Sequence, residues 1–149
     1  ISQSAQAMSN DFYTRRYRAD WNDYKAPRTY LITMTKAPGV QDFGALRGSP
    51  LIPYGSHGCA YIYNSPLGNR IKDAIWDIPS LCPAFKVHKY QIMPDHIHVV
   101  WQVTAHLNEH LGCYIGRFKS RFKYVFAETY DDSILTADRR LDVMIRYVE

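Results

Sequence analysis

No uninterrupted apolar run in this 149-residue chain approaches the roughly 20 residues that a helix needs to cross a bilayer. No secretory leader is visible. An integral membrane protein is therefore excluded, and a cytoplasmic one is expected. Internal repeats and low-complexity blocks are missing too, so the chain reads as one unit. Cys59, Cys82 and Cys113 are odd in number and never in CxxC spacing. That argues against a disulfide framework and a structural zinc site, and it fits a reducing compartment.

What is present is ordinary in bulk and unusual in detail. Hydrophobic residues make up 46% and charged residues 21%, which suits one folded domain rather than a disordered chain. There are 18 Lys and Arg against 14 Asp and Glu, a net charge of +4 and a pI near 9.0. Twelve tyrosines help bring aromatics to 14%. Cations meet phosphates and rings stack on bases, so this balance suits a nucleic-acid partner. An aromatic core has the same composition, and composition alone does not separate the two.

Residues 1–27 contain a basic cluster at Arg15, Arg16 and Arg18 and read as a basic, aromatic arm. Such arms often touch nucleic acid, although a solvated tail looks the same. The domain proper is expected at residues 28–149. Thr29–Thr35 is β-branched and aromatic, lies between Pro27 and Pro38, and predicts a strand. The glycines and prolines from Ala37 to Gly58 predict loops, with at most a short strand around Leu51 or Tyr61. Ser65 before Pro66 supplies a helix cap and a first-turn proline for a helix running towards Asp77. Phe85–Ile92 and His96–Val103 read as strands joined by a turn at Met93-Pro94-Asp95. Leu107, Leu111, Ile115, Phe118, Phe122 and Val125 form one helical stripe, with Arg117, Lys119, Arg121 and Lys123 off it. Asp131–Ser133 breaks that pattern. A last helix from about Thr136 would turn Leu141, Met144, Ile145 and Val148 inward. This order implies an α+β domain with a mainly antiparallel sheet.

On a strand, residues two apart face the same way, so His96 and His98 present two imidazoles on one side. Two adjacent imidazoles can hold one divalent cation. Hydrogen-bonded strand histidines without a metal have the same spacing. A histidine-triad nucleotide hydrolase would need a third histidine where Val100 stands.

The wider string Tyr90-Gln-Ile-Met-Pro-Asp-His-Ile-His-Val-Val-Trp101 resembles the signature of the HUH single-strand nucleases, in particular the REP-associated tyrosine transposases. In that family Met-Pro-Asn precedes a His-hydrophobic-His strand. Met93, Pro94, His96 and His98 match, while Asp95 replaces the asparagine and adds a carboxylate beside the histidines. The early strand, the capped helix and the basic helix follow the family's order, over roughly four-fifths of the chain from about Arg28 to Glu149. The likeness is weakest between Gly39 and Tyr63.

The resemblance implies a ferredoxin-like HUH domain with Mg²⁺ or Mn²⁺ held by His96 and His98. It implies a metal-dependent single-stranded DNA endonuclease and strand transferase, acting on hairpin or REP-like DNA as a monomer or homodimer. It also implies one nucleophilic tyrosine roughly fifty to sixty residues after the histidines. Tyr147, in Ile145-Arg-Tyr-Val-Glu149, stands where relatives carry that residue. It falls at the edge of the last helix's apolar stripe; Tyr124 is the competitor. The family's third, polar ligand lies one turn later, at a position past Glu149, so the chain reads as a fragment. Arg117, Lys119, Arg121 and Lys123 would then track phosphates, with Trp101, Tyr124, Tyr13 or Tyr17 as stacking platforms. A catalytically silent single-strand-binding relative and a His-His phosphoesterase are the competing readings.

Overall fold

Period-two burial builds the centre of the fold. In the computed structural model, which describes residue 19 and residues 21–135, strand β1 (Arg28–Thr35) buries Tyr30, Ile32 and Met34 on one face. The chain continues through β2 (Gly44–Arg47), β3 (Tyr61–Asn64), α1 (Pro66–Trp76), β4 (Phe85–Ile92), β5 (His96–Val103), α2 (Leu111–Ser120) and β6 (Asp131–Leu135). Four strands form one sheet in the order β4-β5-β1-β6, every neighbouring pair antiparallel. The β2–β3 pair is a separate ribbon inserted between β1 and α1. Without that insert the order is strand, helix, strand, strand, helix, strand, which is the ferredoxin-like arrangement. The expected α+β class with an antiparallel sheet is the observed one.

The helices cover one face of the sheet. Ile97, Val99, Trp101 and Val103 of β5 point to the same core as Tyr30, Ile32 and Met34. Leu67, Ile71, Ala74 and Ile75 of α1 pack there, with Leu111, Tyr114, Ile115 and Phe118 of α2. Phe85 sets its ring edge-on to both Trp101 and Tyr114, at 5.1 and 5.0 Å between centroids. On the opposite face Leu31, Val100 and Leu135 form a second buried cluster, and the alternation places Thr33, His96 and His98 on that side too.

Local chemistry explains α1. Ser65 Oγ accepts from the Gly68 amide at 3.0 Å, and Pro66 occupies the first turn. Gly68 lets the helix touch the backbone beneath it, because a Cβ there would lie 2.0 Å from the Phe43 carbonyl oxygen.

Four expectations change. The stretch expected as loops contributes β2, paired with β3 from Gly44↔Asn64 to Arg47↔Tyr61. The long helix is only α2, ten residues capped by His110, whose Nδ1 accepts from the Gly112 amide at 2.9 Å. Its apolar stripe survives beyond Ser120 because Phe122 and Phe126 fold back on Phe118, with centroids 6.0 and 6.1 Å away. The supposed break at Asp131–Ser133 is part of β6, which pairs with β1 from Thr29↔Leu135 to Thr33↔Asp131. A short, charged sequence is typical of a sheet edge. Finally, the end of the expected arm is packed: Tyr24 is buried, stacks on Tyr30 and His110, and its Oη accepts a hydrogen bond from the Ala19 amide at 2.7 Å. The last expected helix lies outside the described residues.

Candidate functional site

The Met93-Pro94-Asp95 turn is pinned by backbone bonds before the histidines begin. The Met93 amide donates to the His96 carbonyl at 2.8 Å, Phe43 to Pro94 at 2.8 Å, and Lys36 to Asp95 at 2.9 Å. His96 and His98 then emerge on the sheet face away from the helices, both half-buried. Their rings are nearly perpendicular, with centroids 4.7 Å apart. Their Nε2 atoms are 3.1 Å apart.

Each far nitrogen is tied back. His96 Nδ1 lies 2.7 Å from Asp95 Oδ1, and His98 Nδ1 lies 2.9 Å from Thr33 Oγ1 on the paired strand. The hydrogen bond from His96 holds the exposed Asp95 carboxyl below its usual range. Burial, reinforced by the charge of His96, pushes His98 down from 6.5 to about 4. His98 is thus neutral near pH 7, the form in which imidazole ligates a metal.

The donor set fits a divalent cation. Two metal–nitrogen bonds of about 2.1 Å span a 3.1 Å gap. With both Nε2 atoms given to a cation, both Nδ1 atoms carry protons, and Asp95 and the Thr33 hydroxyl can each accept one. Among the described residues no third His, Cys, Asp or Glu joins the pair into a three-ligand cluster. Thr33 is the residue that the sequence reading missed. Its role depends on the Thr33↔His98 register, which no local motif announces.

The other expected site residues are scattered. Tyr147, Tyr13 and Tyr17 lie outside the described residues. Trp101 is fully buried in the core and cannot stack on a base. Tyr124 is 89% exposed, yet it sits in the turn after α2 with a left-handed φ of 65°, not on a helix. Arg117 is engaged by both Glu109 carboxylate oxygens, at 2.9 and 2.7 Å, and lies over the Tyr114 ring. Arg121 pairs with Asp77 at 3.0 Å. Lys119 donates to the Glu128 carbonyl at 2.8 Å, and Lys123 is exposed beyond the helix end. Of these four, Arg117, Lys119 and Arg121 are thus engaged by neighbouring oxygens.

The fold and the paired imidazoles define an antiparallel α+β domain with a two-histidine strand. The chain matches no family model and no curated protein. Its fold is similar to that of a REP-associated tyrosine transposase solved bound to a REP hairpin, with a TM-score of 0.50 and 12% identity. The match covers 87% of this chain and 70% of that one. At this identity the likeness is one of fold. No helix among the described residues is long and apolar enough to cross a membrane.

Proposed function

We propose that the protein is a metal-dependent single-stranded DNA endonuclease and strand transferase that works through a 5′-phosphotyrosine intermediate. What supports this is the convergence of His96 Nε2 and His98 Nε2 at 3.1 Å, with both Nδ1 atoms anchored, on a fold similar to that of a hairpin-bound transposase.

Bound Mg²⁺ or Mn²⁺ would supply Lewis acidity to a non-bridging oxygen of the scissile phosphate. His96 and His98 would hold it, Asp95 and Thr33 fixing the orientation of each ring. Tyr147 is the proposed nucleophile. Its phenol oxygen bonds to phosphorus and gives up its proton, while the bond from phosphorus to the 3′ oxygen breaks. The departing oxygen takes a proton and leaves as a free 3′-hydroxyl. The 5′ end stays on the tyrosine, so a later attack by a 3′-hydroxyl can rejoin strands without another energy source.

Incubation with a single-stranded hairpin oligonucleotide and Mn²⁺, followed by a denaturing gel, tests the chemistry. A covalent adduct that is lost in Tyr147→Phe and in His96→Ala is expected. DNA binding without any adduct would instead identify a silent single-strand binder. Turnover of small phosphoesters by Tyr147→Phe would favour the His-His phosphoesterase.

A further inference from the structure

The inserted β2–β3 ribbon carries exposed aromatic side chains that the histidine site does not use. Tyr61 and Tyr63 are 54% and 62% exposed. Being two apart on one strand, they share a face. Ala45 and Arg47 lie opposite Tyr63 and Tyr61 on that face, and the Arg47 guanidinium carbon lies 5.9 Å from the centroid of the Tyr63 ring.

Charge is one-sided here. No carboxylate occurs between Asp42 and Asp73, while Arg47, Arg70 and Lys72 do. The ribbon is also held firmly. Gly48, with a φ of +76°, sits so close to Cys59 that a Cβ would lie 2.0 Å from its carbonyl oxygen. The amide of Ser49 donates to the Gly58 carbonyl at 2.9 Å. At its root, Phe43 is buried and donates its amide to Pro94, in the turn that leads into His96. The ribbon is therefore tied by backbone contacts at both ends, at its root to the histidine turn.

We propose that the Arg47–Tyr61–Tyr63 face is a stacking surface for unpaired nucleotides of single-stranded DNA. Two residues along a strand advance about 6.8 Å, about twice the 3.4 Å spacing of stacked bases along one strand of a duplex, so the two rings are far enough apart to meet different bases. Ring faces accept any base and the guanidinium answers the phosphates. The face thus selects for unpaired strand rather than for sequence. This deepens the proposed function and rests on it for the choice of DNA as partner.

Fluorescence anisotropy with a 5′-fluorescein single strand, recorded without metal, separates this binding from the chemistry. Tyr61→Ala with Tyr63→Ala is expected to weaken binding about tenfold or more, and Tyr→Phe at both positions to retain it. Blunt duplex of the same sequence should bind both proteins equally. Because both tyrosines are exposed, the thermal melt of the double variant should match wild type. Undiminished single-strand affinity in the double alanine variant would overturn the assignment. So would an unchanged affinity accompanied by loss of a wild-type dimer, which would make the face a contact between copies. Tighter wild-type binding to the matching RNA strand would overturn the choice of DNA. The Tyr147 adduct is read separately, in the wild-type protein with Mn²⁺. Absence of that adduct in wild type would sink the nuclease reading and leave the anisotropy result standing.

Discussion

Each histidine of the pair has one nitrogen held by a neighbour and one turned to its partner, and that division of labour is testable atom by atom. Thr33→Val keeps the size and shape of the side chain but removes the oxygen 2.9 Å from His98 Nδ1. Loss of such an orienting partner typically costs 10–100-fold in metal affinity. Mn²⁺ titration of the variant is expected to give a weakening in that range, with Thr33→Ser close to wild type. The pH behaviour follows from His98. Its folded value is lowered to about 4 from 6.5, by burial first and by His96 second. Between those two values the unfolded chain binds more protons than the folded one, so stability rises with pH through that window. The contribution is complete above 6.5 and disappears as pH falls towards 4. Urea midpoints measured across the window should show this slope, and His98→Gln should flatten it.

Among the elements, α1 and α2 carry glycines with opposite meanings. Gly68 in α1 faces the Phe43 backbone, where a Cβ would lie 2.0 Å from a carbonyl oxygen, whereas a Cβ at Gly116 in α2 meets nothing within 4 Å. Intrinsic propensity favours alanine at both, by roughly 1 kcal/mol. Gly68→Ala is nevertheless expected to destabilise by about 1–3 kcal/mol through overpacking, and Gly116→Ala to stabilise by about 0.5–1 kcal/mol. Chemical denaturation of the two variants checks both signs. The contrast also marks what a linear reading can reach. The capped start of α1, the strands β1, β4 and β5 and the paired histidines were legible, because caps, alternation and the Pro94 turn are local signals. β6 was not, since its polar Asp131-Asp132-Ser133 becomes a strand only by pairing with β1, some hundred residues earlier. The helical stripe from Leu107 to Val125 outruns α2 for the related reason that Phe122 and Phe126 reach the core from the non-helical segment after it and keep helical spacing without helical backbone.

For the whole molecule, net charge overstates how much cation is free for the proposed DNA partner. Arg117 and Arg121 are already paired with Glu109 and Asp77, and both pairs sit at the surface, where an ion pair yields readily to a competing anion. A phosphate arriving at Arg117 must share or displace a carboxylate that holds the guanidinium through two hydrogen bonds, and the freed carboxylate would then repel the backbone. Lys123 sits exposed past the end of α2, next to the exposed Tyr124, and faces no such exchange in the ion pairs described. Each phosphate neutralised on a single strand contributes about 0.7 to the slope of log affinity against log salt. Lys123→Ala is therefore expected to reduce that slope by about 0.7, and Arg117→Ala by distinctly less. Anisotropy titrations of a single-stranded oligonucleotide over a range of salt provide the measurement. Equal reductions would mean that the Glu109 pair opens on DNA, and Glu109→Gln would then strengthen binding without changing the slope's dependence on Arg117.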